Sequence, residues 1–208
     1  MISYRKEYFK HLATTISAFY NGATNGRFSY VYDGDFNRDG VQGNDLIYIP
    51  NTTQVQQMLF TSNTVNGVTY SQADQRTLFE RYIQQDKYLK AHRGQYAERN
   101  GAELPWSANF DFKIIQDFYI KVGGHKNTLQ FTLDVFNFGN YVTPQWGLNQ
   151  STLRAGLINY VGNDAATGKP VFTFPYRSGT TPLSDTFQRS FGLGSRWQAQ
   201  FGVRYIFN

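Results

Sequence analysis

Residues 191–208 alternate between two characters. Odd positions carry Phe191, Leu193, Trp197, Ala199, Phe201, Val203, Tyr205 and Phe207, with Ser195 the exception. Even positions carry Gly192, Gly194, Arg196, Gln198, Gln200, Gly202 and Arg204, then Ile206 and Asn208. A period of two is the signature of a strand with one apolar and one polar face. Soluble strands usually run ~5–6 residues, whereas a tilted membrane strand needs ~9–11. This run therefore predicts a wall strand of a membrane β-barrel. Leu193, Trp197, Phe201, Val203 and Tyr205 are expected to face lipid, and Arg196, Gln198, Gln200 and Arg204 the lumen. Tyr205 and Phe207 fall where an interfacial aromatic girdle belongs.

The pattern recurs. Leu129, Phe131, Leu133 and Val135 alternate with Thr128, Gln130, Thr132 and Asp134. Between residues 107 and 122 the even set is mostly apolar, from Ala108 and Phe110 to Ile120 and Val122. The odd set there carries Asn109, Asp111, Lys113, Asp117 and Lys121, with Ile115 and Tyr119 as exceptions. Tyr4, Tyr8, Leu12, Ile16, Ala18 and Tyr20 share a parity that Lys6, Lys10 and Thr14 interrupt, and Phe28, Tyr30 and Tyr32 suggest a further short strand. Together these predict about five antiparallel strands, too few to close a barrel, since a small one needs ~8. Residues 21–26 and 123–127 read as tight turns. Residues 33–105 and 139–190 read as long excursions, an asymmetry typical of outer-membrane barrels, with the short side periplasmic. Inside the first excursion, Ser71 with Asp74 reads as a capping box opening a helix, and Leu78, Phe79, Tyr82 and Ile83 follow at helical spacing.

Averages hide such strands, so a mean hydropathy of −0.50 excludes membrane helices only. The absence of cysteine removes disulfide frameworks, zinc ribbons and thiol nucleophiles. A net charge of +5 over 208 residues, without a Lys/Arg run, argues against a nucleic-acid partner. Lys87, Lys90, Arg93 and Arg99 read as a solvated helix face. The first residues lack a signal peptide's apolar core. The chain is thus either cytoplasmic or a piece whose true start lies upstream, and the terminal strand favours the second.

The sharpest local motif runs from Asp35 to Asp45. Asp35, Asn37 and Asp39 alternate as oxygen ligands, Gly40 permits the turn and Val41 offers a carbonyl, the first half of an EF-hand-type Ca²⁺ loop. The twelfth position is Leu46 instead of Glu, leaving Asp45 as the only replacement. The alternative is a loop in which these side chains cap their own backbone. Catalytic sets are absent: His11, His92 and His125 stand in separate segments without zinc spacing, and no nucleophile elbow or phosphate loop occurs. The chain does not read as an enzyme.

Several stretches resemble the C-terminal part of TonB-dependent outer-membrane receptors, in the Bacteroidetes-type, Oar-like group with a carboxypeptidase-regulatory-like N-terminal domain. They are Gly34-Asp-Phe-Asn-Arg-Asp-Gly, Gly43-Asn-Asp-Leu-Ile-Tyr-Ile-Pro50, Gln85-Asp-Lys-Tyr-Leu and His92-Arg-Gly-Gln-Tyr-Ala-Glu-Arg-Asn. Leu104-Pro-Trp, Gln116-Asp-Phe, Phe131-Thr-Leu-Asp-Val-Phe-Asn-Phe-Gly-Asn140 and Gln200-Phe-Gly-Val-Arg-Tyr-Ile-Phe complete the set, in order along nearly the whole chain. The resemblance implies an all-β, antiparallel transmembrane barrel of ~22 strands, of which residues 1–208 supply a C-terminal segment. Segments 33–105 and 139–190 would then be extracellular loops, one partly helical. It implies a place in the cell outer membrane and energised uptake of an unidentified substrate. Its partners would be outer-membrane lipid, the rest of the barrel and its plug, and the TonB complex through the N-terminal part not present here. Two rivals stand beside it: a complete small barrel or adhesin, and a soluble secreted calcium-stabilised β-module binding glycans through Trp106, Trp146 and Trp197.

Overall fold

The computed structural model describes residues 1–178 and 181–208, so residues 179 and 180 of the second expected loop lie outside the described residues. The chain is mostly β, 49% strand against 16% helix, and no helix is long and apolar enough to cross a membrane. It divides into two compact units.

The first unit comprises Met1–Asn25, Pro105–Gln150 and Arg189–Asn208. Its core element is a five-stranded antiparallel sheet of β1 (Ile2–Tyr8), β2 (Leu12–Thr24), β3 (Trp106–Val122), β4 (His125–Phe136) and β5 (Gln198–Phe207), in that spatial order. Chain neighbours are sheet neighbours throughout, as in an up-and-down meander. The β3–β4 connection is the two residues Gly123 and Gly124, at φ 59° and 86°. Both need the positive φ that a type I′ hairpin demands, which glycine adopts without a Cβ clash. The expected turn at residues 123–127 is thus shorter, and His125 already belongs to β4.

Further expectations are corrected. The segment from Tyr4 to Tyr20 is two strands, turned at Phe9, Lys10 and His11, and residues 21–24 continue β2 where a tight turn was expected. A three-residue turn pairs Tyr8 with Leu12, so parity survives the reversal and two strands read as one. Phe28 to Tyr32 forms no part of this sheet: Arg27–Phe28 pairs with Ala102–Glu103, and Val31–Asp33 runs parallel to Gly156–Asn163. Finally, β5 begins at Gln198. Leu193–Ser195 is a 3₁₀ turn, so Leu193, Arg196 and Trp197 precede the strand instead of lining its faces.

The second unit, Gly26–Leu104 with Ser151–Gln188, gathers most of the two long excursions around a core of their own. Tyr30, Ile47, Phe79, Ile83, Leu157 and Phe174 are fully buried there, each side chain contributing about 1.5–3 kcal/mol. A four-stranded sheet, ordered Val31–Asp33, Gly156–Asn163, Pro170–Thr173 and Leu59–Phe60, packs with the helices Thr52–Gln57, Gln72–Gln85 and Lys87–Ala91. The capping box forms as its spacing predicts: Ser71 Oγ accepts from Asp74 N at 3.2 Å, and Asp74 Oδ2 accepts from Ser71 N at 2.9 Å. Two buried polar side chains tie the unit together. Gln75 bridges Phe174 N at 2.9 Å and the Thr61 carbonyl at 2.7 Å. Asp86 accepts from the Tyr30 and Thr186 hydroxyls, both at 2.7 Å, and from Leu89 N at 2.9 Å.

Candidate functional site

The meander has two chemically distinct faces. Register places Ile16 opposite Ile114, Ile114 opposite Leu133, and Leu133 opposite Phe201. The same face continues through Leu12, Phe118, Leu129 and Tyr205. Nothing in the unit covers it: Tyr4, Ile120, Phe201, Val203 and Tyr205 are each at least 55% exposed. A soluble monomer rarely exposes a contiguous apolar area of this extent.

The opposite face is polar and internally paired. Arg5 Nη1 lies 2.7 Å from Asp117 Oδ2, and Gln130 Nε2 donates to Asp117 Oδ1 at 2.8 Å. Asp117 is 5% exposed, so these bonds hold a carboxylate that is largely out of water. Lys113 Nζ pairs with Asp134 Oδ1 at 3.0 Å, beside a cleft of about 350 Å³ whose lining includes Gln200 and Arg204. Gln198, Gln200 and Arg204 share this face as their alternation predicts, and Asp111 is bound on it to Asn137 N at 2.7 Å. Arg196 instead stands over the Phe191 ring at 5.4 Å.

One polar row crosses the apolar face. The Tyr8 hydroxyl meets Thr14 Oγ1 at 2.7 Å and Gln116 Oε1 at 3.0 Å, and Lys6 faces the same way opposite Thr14. In the sequence Lys6 and Thr14 are breaks in the first segment's parity, whereas Tyr8 belongs to that parity and Gln116 to the even set of residues 107–122. The break was itself the available signal.

Both hairpin turns and the end of β5 lie at one end of the sheet, and residues 25–105 and 137–197 connect strands at the other. Aromatics mark that second end. Trp106, Tyr20 and Trp146 line a cleft of about 430 Å³ with Asn109, Gln145 and Gln150, and Trp197 sits edge-on to Tyr141 at 5.1 Å.

In the second unit, the expected cation loop is closed by its own hydrogen bonds. Asp35 accepts from Asp39 N at 3.1 Å and Gly40 N at 2.9 Å, and Asn37 Oδ1 from Asp39 N at 2.9 Å. Asp39 Oδ1 accepts from Val41 N at 2.8 Å, and Asp45 Oδ2 from Phe36 N at 2.8 Å and Asn37 N at 3.1 Å. Bonds from Val41 N, Asn37 and Asn44 hold the Asp39 carboxyl below its ordinary pKa. Asp35, Asn37, Asp39, Val41 and Asp45 therefore share one loop, yet no group of three or more His, Asp or Glu side chains able to hold a metal occurs among the described residues. The histidines are held separately. His11 Nδ1 lies 3.1 Å from the Tyr119 carbonyl, His92 Nδ1 lies 2.8 Å from the Tyr88 carbonyl, and His125 stacks on Phe207 at 5.1 Å. Among the basic residues beside the helices, Arg93 is bound to Glu80 at 2.7 Å, while Lys87, Lys90 and Arg99 are exposed.

Comparison of the chain with protein-family models, with curated proteins and with solved structures finds no match.

Proposed function

We propose that the chain supplies wall strands and a folded extracellular loop unit to an outer-membrane TonB-dependent receptor, and that it carries no catalytic activity of its own. The observation that carries this reading is the uncovered apolar face of the meander, backed by a polar face bearing ion pairs. Its dimensions agree with a bilayer. From Phe110 to Ile120 the strand rises ~33 Å at ~3.3 Å per residue, and a ~45° tilt leaves ~23 Å of height, close to the ~25 Å apolar band of such barrels. Short turns at one end and long connections at the other add the expected asymmetry. The two free sheet edges, on β1 and β5, require further strands, because lipid offers no partner for backbone N–H and C=O groups. The test is cysteine accessibility in whole cells. A cysteine at Asn66 is labelled by an impermeant reagent from outside, and one at His125, beside the β3–β4 turn, only after the outer membrane is opened. Labelling of both in intact cells would overturn the topology.

A second reading rests on the cleft between Trp106 and Trp146, where indole faces and side-chain amides could hold a sugar in a soluble β-module. It requires that the protein stay monomeric without detergent and that oligosaccharide quench its tryptophan fluorescence.

A further inference from the structure

The charges of the meander are distributed unevenly between its faces. Arg5, Glu7, Asp111, Lys113, Asp117, Lys121, Lys126, Asp134 and Arg204 all share the polar parity. Lys6 is the single Lys, Arg, Asp or Glu that the register places on the apolar face among the described strands. It stands in the β1–β2 hairpin, four residues before Lys10 at the tip. Neither lysine has an ion-pair partner among the described residues, and on the other face Arg5 takes both Glu7 and Asp117.

The tip has a second unusual feature. Phe9 and Lys10 both adopt left-handed backbone, at φ 52° and 59°, although neither is glycine. That conformation is disfavoured for bulky side chains, and such strain tends to collect where function demands it. It leaves the Phe9 ring 82% exposed, edge-on to Tyr8 at 5.5 Å. Beside the hairpin, an apolar groove of about 390 Å³ runs along the sheet between His11, Leu12, Phe118, Leu129 and Tyr205.

We propose that this hairpin end is a seat for an anionic phospholipid: Lys6 and Lys10 hold the phosphate, Tyr8 and Phe9 lie at the headgroup level, and an acyl chain occupies the groove. A lysine on a lipid-facing strand reaches the headgroups by extending its stem along apolar surface. Two unpaired cations beside an apolar groove complement a molecule that carries one phosphate and long hydrocarbon chains, and the exposed Phe9 ring favours that depth. The inference rests on the membrane reading above but is separable from it.

The test is flotation of the full chain with vesicles of phosphatidylcholine alone and of phosphatidylcholine mixed equally with phosphatidylglycerol. The chain should associate with both through its apolar face, and on the order of tenfold more tightly with the anionic vesicles at low salt. Lys6→Gln with Lys10→Gln should abolish that preference while retaining association. Lys87→Gln with Lys90→Gln, the same charge change in the second unit, should leave the preference intact. Equal association of the unaltered chain with both vesicles would overturn the seat and spare the membrane reading. Equal loss in the two double variants would also overturn it, assigning the effect to net charge. Association with neither vesicle would overturn both.

Discussion

Asp86 shows how one buried carboxylate organises the second unit. It is 5% exposed and accepts from two hydroxyls and one backbone N–H, closing the turn between two helices. Asp86→Ala would strand all three donors and remove a helix cap, costing about 2–4 kcal/mol. Denaturant unfolding followed by amide exchange in the helix Lys87–Ala91 measures this, and a loss near zero would show that other contacts hold the turn. The loop from Asp35 to Asp45 makes the opposite point. Its alternating oxygens were visible in the sequence, but a spacing of ligands says nothing about whether backbone N–H groups already occupy them. Here they do. Chelation of divalent ions should therefore leave amide protection in this loop unchanged. Protection that rises on adding Ca²⁺ would instead show that the loop takes the ion.

Elements differ in how much of them the residues disclose. The helix Gln72–Gln85 was legible because its cap and its buried stripe are local, with Phe79, Tyr82 and Ile83 at helical spacing. Strands β3 and β4 were legible because their alternation is long. The β1–β2 hairpin was not, since its turn preserves parity and lacks glycine. The second unit's sheet was not legible either: its strands are short and join residues far apart in the chain, as when Val31–Asp33 meets Gly156–Asn163. Strand β5 carries the sharpest element-scale prediction. Spin labels at Ala199, Phe201, Val203 and Tyr205 should be relaxed by a lipid-soluble agent, and labels at Gln198, Gln200 and Arg204 by a water-soluble one. Uniform accessibility, or the opposite phase, would overturn the proposed lipid face of this strand.

At the scale of the whole molecule, the two units should fail under different conditions. Burial pushes the Tyr32 and Tyr82 hydroxyls up to about 12, against an ordinary value of about 10. Above pH ~10 the unfolded chain releases these protons while the folded unit retains them, so stability is complete below that pH and falls as pH rises toward ~12. Alkaline titration in detergent should lose the near-ultraviolet signal of the second unit in that window, and a signal retained through pH ~12 would contradict it. The sheet depends instead on its backbone ladder. Residues 203–207 pair with residues 127–131, from Phe131 opposite Val203 to Asn127 opposite Phe207. In the membrane wall proposed above, deleting residues 203–208 would leave that edge of β4 unpaired in lipid, where each orphaned N–H or C=O costs several kcal/mol. Summed over the lost pairs, that exceeds the ~5–15 kcal/mol by which folded proteins are ordinarily stable. The deletion should therefore abolish assembly of the proposed barrel, leaving none of the heat-modifiable species that marks a folded barrel on a gel. Phe207→Asp should only lower its amount, because a charge near the interface costs ~0–1 kcal/mol. Wild-type levels of folded barrel after the deletion would show that β5 is not part of a membrane wall.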